Sequence, residues 1–210
     1  MHPLHEALIA AADGDFPTVD GAVEVLPPDA AGTWAVFEFT GHSFVLADRE
    51  PTELSARGAD GFGGASQPDL LRWLAGPGGV IGSHDAVLVA RGTGCGSDVL
   101  VERSDLSDHP RVLRSRHHRS DVRVFADDVG LVTLGSGLVG RLELSVELLS
   151  AEKYGAGAGT RLISDGLAEV PAGELVWAQV APGNAASLRS FLRAGFVPIG
   201  AETLIDTTRD

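Results

Sequence analysis

The chain has a single cysteine, Cys95, a single tyrosine, Tyr154, and no apolar run of the length a membrane helix needs. A lone cysteine cannot close an internal disulfide, and no Cys/His spacing resembles a zinc site. The reading is therefore a metal-free protein of a reducing, cytoplasmic compartment. Spanning a bilayer takes roughly 18 or more consecutive apolar residues, and no stretch approaches this. The opening MHPLHEALIAAADGDF has a short apolar run with no basic lead and early acidic interruptions, so it reads as a short helix and not as a signal. Positive charge is also scarce: 16 Lys and Arg stand against 29 Asp and Glu, a formal net charge of -13. Such a surface repels phosphate backbones and anionic lipid, which argues against nucleic acid and membrane as partners. No low-complexity tract or internal repeat is present.

What is there suits a folded protein. With 210 residues, 44% of them hydrophobic and 21% charged, the chain can build one large domain or two small ones. The first part reads as strands AVEVL and TWAVFEFTGHSFVLAD, the latter folded into a hairpin at TGH, followed by a helix QPDLLRWLAG that starts after Pro68 and stops at GPGG. AVLVARG and DVLVERS are further strands separated by the turn-prone TGCGS. DVRVFA, GLVTLG and VGRLELSVELL are three strands joined by Asp/Gly turns, with polar and apolar residues alternating from Arg141 to Glu147. A glycine loop leads into a helix from about Thr160 to Glu169. The strand LVWAQV, the helix NAASLRSFLRAGF and a last strand VPIGAETLI follow. Strands and helices in this order predict an α/β fold with a mixed sheet. Trp34, Trp73 and Trp177 each lie in an apolar run and are expected in the core.

The stretch EKYGAGAGTRLI carries the chemistry. Gly155, Gly157 and Gly159 stand at alternate positions before a helix. Such a turn exposes successive N–H groups beside the positive end of the helix dipole, which suits a phosphate. The bland alternative is a tight structural turn. A nucleotide P-loop needs Lys and Ser/Thr after the last glycine, and Thr160–Arg161 stand there instead. A dinucleotide fingerprint needs G-x-G-x-x-G, and the spacing here is G-x-G-x-G.

The same stretch resembles the pyrophosphate loop of the GNAT acetyltransferase superfamily, R/Q-x-x-G-x-G/A between a strand and a helix. VAPGNAASLRSFLRAGFVPIG resembles that family's next strand and helix, and the two motifs occur in the family's order. The resemblance covers about residues 95 to 206 and implies a GNAT-like mixed sheet flanked by helices over residues 85–210. Residues 1–84 are read as an N-terminal α/β extension, either a degenerate copy of the same lobe or a lid on the acceptor site. The resemblance implies acetyl-CoA as acyl donor. Its pyrophosphate is expected on Tyr154, Gly155, Ala156, Gly157, Ala158, Gly159 and Thr160, with Arg161 helping from the first helical turn. Tyr154 takes the place of the family's Arg or Gln. The strands flanking the loop are expected to splay apart around the pantetheine arm, with backbone groups of Leu148 and Leu149 supplied to it. Asn184 is expected to face the pantetheine or the transfer site.

Acyl transfer from a thioester to an amine needs a base for the amine, a stabiliser for the oxyanion and a proton for the thiolate. Glu143 and Glu147 share one strand face with Arg141 and Ser145. Glu143 sits where several family members carry a base and is the first choice, with Glu147 second; the alternative is a solvated row of carboxylates. Where the family often has a tyrosine acid, this chain has Phe191, which has no proton to donate. The basic run RVLRSRHHRS is read as a solvated helix or linker, or else as a wall for an anionic ligand. The expected function is acetyl transfer to a primary amine of a small molecule or peptide by direct attack, without a metal. The alternative is a non-catalytic acyl-CoA sensor or scaffold. The family often dimerises, so a homodimer is admitted.

Overall fold

Four helices of this protein open in the same way. His2, Glu50, Gln67 and His109 have extended backbones, and Pro3, Pro51, Pro68 and Pro110 follow them in the first helical turn. Proline suits that position because its missing N–H would be unpaired there and its fixed φ already fits a helix. The imidazoles of His2 and His109 add a cap, accepting from the amides of Leu4 and Arg111 at 3.2 Å. The computed structural model describes residues 1–150 and 157–207, and over these the chain has a mixed α/β architecture. It divides into two compact units, Met1–Val87 with Ile199–Asp210, and Leu88–Pro198.

The first unit holds α1 (Pro3–Ala12), β1 (Val23–Leu26), β2 (Trp34–Phe39), β3 (His42–Leu46), α2 (Pro51–Ser55), α3 (Pro68–Ala75), residues 80–87 of β4 (Val80–Arg91) and most of the last strand, Val197–Asp206. β2 and β3 form the hairpin expected at TGH, with Phe39 opposite His42 and Gly41 at φ 70° in the turn. β1 joins β3 in parallel, and the last strand runs antiparallel to β2. α3 buries Leu70, Leu71 and Leu74 among Val36, Val45, Leu54 and Ile205. Trp34 and Trp73 are only half-buried, contrary to the core expectation. Their ring faces carry guanidinium groups, Arg49 about equally close to both and Arg57 4.0 Å over Trp73.

The second unit holds residues 88–91 of β4, β5 (Val101–Glu102), α4 (Pro110–His118), β6 (Ser120–Ala126), β7 (Gly130–Ser136), β8 (Leu142–Leu148), α5 (Ala158–Ala168), β9 (Leu175–Val180) and α6 (Ala185–Arg193), the final strand being β10. The strand predicted across DVLVERS shortens to Val101–Glu102. The hydroxyl of Ser97 accepts from the amides of Val99 and Leu100, which turns the chain before it can pair. β5, β6, β7 and β8 are antiparallel neighbours, and β8 meets β9 in parallel.

Alternation gives this sheet two unlike faces. Gly130, Val132 and Leu134 of β7 stand opposite Leu148, Val146 and Leu144 of β8, forming an apolar face. α5 and α6 cover it with Leu162, Ile163, Leu167 and Phe191. On the other face, Leu131, Thr133 and Gly135 stand opposite Glu147, Ser145 and Glu143. Ser115 of α4 reaches this polar face, bonded to Thr133 at 2.7 Å. Gly166 sets the approach of α5, since a Cβ there would lie 3.0 Å from both Leu144 Cδ1 and Val132 Cγ1. Gly166→Val should therefore cost about 1–3 kcal/mol through overpacking. A lowered urea midpoint with an unchanged slope is the expected result.

Candidate functional site

The site lies where β8 and β9 part. They share one register pair among the described residues, Glu143 opposite Trp177, although β8 continues to Leu148 and β9 to Val180. The amide of Leu149 donates to the Val129 carbonyl at 3.0 Å. In an antiparallel ladder this points the main-chain groups of Glu147 and Ser145 toward β7 as well. Those of Val146 and Leu148 then face the β9 side, beyond the last register pair. The main-chain groups of Leu148 thus point away from β7, whereas the amide of Leu149 is committed to β7.

After β8 the chain enters the glycine loop. Tyr154, Gly155 and Ala156 lie outside the described residues. Gly157 precedes α5 with φ 79°, a left-handed conformation that glycine adopts without steric cost. Its carbonyl accepts from Arg161 N at 3.0 Å, and Ala158, Gly159 and Thr160 form the first helical turn. A Cβ on Gly159 would lie 3.1 Å from Ser190 Oγ of α6, so this glycine also serves helix packing. The Arg161 guanidinium is held by Asp127 at 2.7 Å and Asp165 at 3.4 Å, with Asp127 also accepting the amides of Val129 and Gly130. Asn184 caps α6, its side-chain oxygen accepting from Ser187 N at 3.1 Å. Phe191 is a core residue, its ring edge-on to Phe196 at 4.9 Å.

The row of carboxylates on β8 is not solvated at Glu143. This residue is 3% exposed and its side chain lies between two arginines: Arg119 Nε donates to one carboxylate oxygen at 2.6 Å, and Arg141 Nε to the other at 2.8 Å. Arg141 is itself fully buried. Gly137 is required beside them, because a Cβ there would collide with the Glu143 carboxyl group. The turn leading into Arg141 places Val139 at φ 52°, which a β-branched residue rarely adopts. Burial alone would raise the pKa of Glu143; the charges of Arg141 and Arg119, with their hydrogen bonds, outweigh it and hold the carboxyl below its usual value. Glu147 stands nearer the open end of β8, half-buried, and accepts from Arg111 Nε at 2.8 Å.

Arg119 is the residue that sequence reasoning missed. It sits at the end of the basic run, just past α4, and donates to Ser115 of α4, to Glu143 and Ser145 of β8 and to Gln179 of β9. A hydroxyl chain from Ser115 through Thr133 to Ser145, with 2.7 Å steps, completes the network. The available signal was Gln179, a polar residue inside the otherwise apolar strand LVWAQV. α4 itself answers to the helical reading of the basic run, with Arg114 and Arg116 exposed and Arg111 and Arg119 turned onto the sheet.

No family model and no curated protein matches the chain. Solved structures do. A protein assigned to the GNAT acetyltransferases from Novosphingobium aromaticivorans aligns at 16% identity and TM-score 0.44, over 63% of this chain and 69% of its own. A GCN5-related N-acetyltransferase from Kribbella flavida aligns at 13% identity and TM-score 0.39, over 63% of this chain and 61% of its own. An aminoglycoside acetyltransferase solved with coenzyme A aligns at 15% identity and TM-score 0.33, over 59% of this chain and 95% of its own.

Removing the Glu143 charge strands two guanidinium groups, one of them fully buried. Glu143→Gln should lower stability at pH 7 by about 3–5 kcal/mol, the usual cost of breaking a buried pair. Because the folded pKa is depressed, this contribution is present above the unfolded value of about 4.5 and is lost as pH falls through the lower folded value. Urea titrations should give a constant gap between wild type and variant from neutrality to about pH 4.5, closing in stronger acid.

Proposed function

We propose that the chain is a GNAT-type N-acetyltransferase that moves an acetyl group from acetyl-CoA to a primary amine of a small molecule or peptide. The observation that carries this reading is the parting of β8 and β9 after a single register pair, directly before a glycine loop that opens a helix. An extended, amide-bearing arm can lie between such strands and bond to the groups of Val146 and Leu148. The amides of the loop and of the first turn of α5 suit a pyrophosphate.

The chemistry then follows from the groups at hand. The amine nitrogen attacks the thioester carbonyl carbon, the tetrahedral adduct collapses, and the carbon–sulfur bond breaks. We assign the amine's proton to Glu147, directly or through water. Glu143 has both carboxylate oxygens engaged and a depressed proton affinity, which makes it a poor acceptor. The thiolate takes its proton from water, because Phe191 has none to give. The attack is direct, so Cys95, which is exposed, has no covalent role.

Phe191 also favours a second reading, an acyl-CoA-binding module without turnover. Calorimetry with acetyl-CoA, followed by an amine panel, separates the two. Binding should be lost in Gly157→Glu, whose side chain enters the phosphate position; its thermal unfolding is followed alongside, since φ 79° penalises any side chain there. Glu147→Gln should lower kcat by about 100-fold or more while acetyl-CoA affinity is unchanged. Binding with no turnover in wild type supports the module. No binding in wild type refutes both readings.

A further inference from the structure

The place where the ladder between β8 and β9 stops is also the place where Arg119 reaches across it. Glu143 stands opposite Trp177, so two residues further on Ser145 and Gln179 occupy the next positions on the same face. No register pair joins the strands there among the described residues. The Arg119 guanidinium does so: Nη1 donates to Ser145 Oγ at 3.2 Å and Nη2 to Gln179 Oε1 at 3.0 Å, while Nε is fixed on Glu143 at 2.6 Å. A fourth acceptor is Ser115 Oγ of α4, 3.1 Å from Nη1. The planar fork of arginine can satisfy these acceptors together, and a lysine ammonium cannot span them.

We propose that Arg119 is a positioning residue for the acyl donor: by tying Ser145 of β8 to Gln179 of β9, it fixes the width at which the two strands part. This rests on the reading of that opening as the donor site. Arg119 is half-buried against the polar face and touches no reacting atom on this account. Its effect is to hold the opening at one width before the ligand arrives, so that binding carries no cost of ordering the strand ends. Glu143 and Arg141 belong to the same device, the first anchoring the fork and the second balancing the anchor.

Gln179 is the position to test, since its loss cuts the β9 end and leaves the ion pair with Glu143 in place. Gln179→Leu should keep the cooperative unfolding transition. It should speed amide exchange in residues 144–148 and 178–180 and weaken acetyl-CoA binding by about tenfold, the scale of one lost charged hydrogen bond. Gln179→Glu keeps an acceptor for Arg119 and should bring exchange and affinity back toward wild type. Arg119→Lys should reproduce the Gln179→Leu defect and add a loss of stability. If wild type binds acetyl-CoA and Gln179→Leu matches it in both exchange and affinity, Arg119 does not set the opening, and the donor site stands without it. If wild type takes up no acetyl-CoA, the donor reading falls and the positioning role with it.

Discussion

Glu143 is buried between two arginines, and much of the second unit is arranged around that fact. A carboxylate taken out of water is costly unless its charge and its lone pairs are both met. Arg119 and Arg141 meet them from opposite sides at 2.6 and 2.8 Å. The consequences reach along the chain in each direction. Position 137 is restricted to glycine because the carboxyl group fills the space where a Cβ would stand. Val139 is held at a positive φ in the turn that delivers Arg141. The residue after α4 must be a long forked donor, since it reaches Ser115, Ser145 and Gln179 together. A buried ionic cluster of this kind adds little net stability over an apolar core, but it tolerates only one arrangement of α4, β8 and β9.

That arrangement explains how two strands can part without the sheet unravelling. Main-chain groups released from a ladder need other partners, and a parallel pair with one register position offers few. On the apolar face, Leu144, Val146 and Leu148 remain packed with α5 and α6. On the polar face, the Arg119 network holds the strands by side chains where the backbone no longer does so. The two faces thus divide the work: apolar contact with the helices fixes where β8 lies, and hydrogen bonding fixes how far it stands from β9.

Much of this was legible in the sequence. The alternation from Arg141 to Glu147 and the periodic apolar residues of α3 after Pro68 placed β8 and α3 within a few residues, whereas the short helix α2 was not read. The hairpin at TGH formed as expected. The short β5 was not legible, because the competing bonds from Ser97 are local side-chain choices that a β-rich composition hides. The fate of Glu143 was not legible either. Alternating charges on a strand look the same whether water or another element covers them, and the covering element here is a basic helix that reads equally well as solvated. Burial of opposite charges is a property of the pair, and Arg119 and Glu143 lie 24 positions apart in the chain.

The two glutamates of β8 share a face and differ by four positions, yet their surroundings divide them chemically. A base needs an unoccupied lone pair and a proton affinity near that of its working environment. Glu143 is ill suited on both counts, since each of its oxygens already accepts from a guanidinium and the two cations, outweighing the effect of burial, favour the charged form. Among the described residues Glu147 is held by Arg111, at 2.8 Å on one oxygen, and it is half-buried toward the end of β8 where the strands have separated. A charge that is fixed on both sides orders a structure, and a charge that is fixed on one side remains available to a substrate. On the function proposed above, the inner carboxylate builds the opening and the outer one serves it.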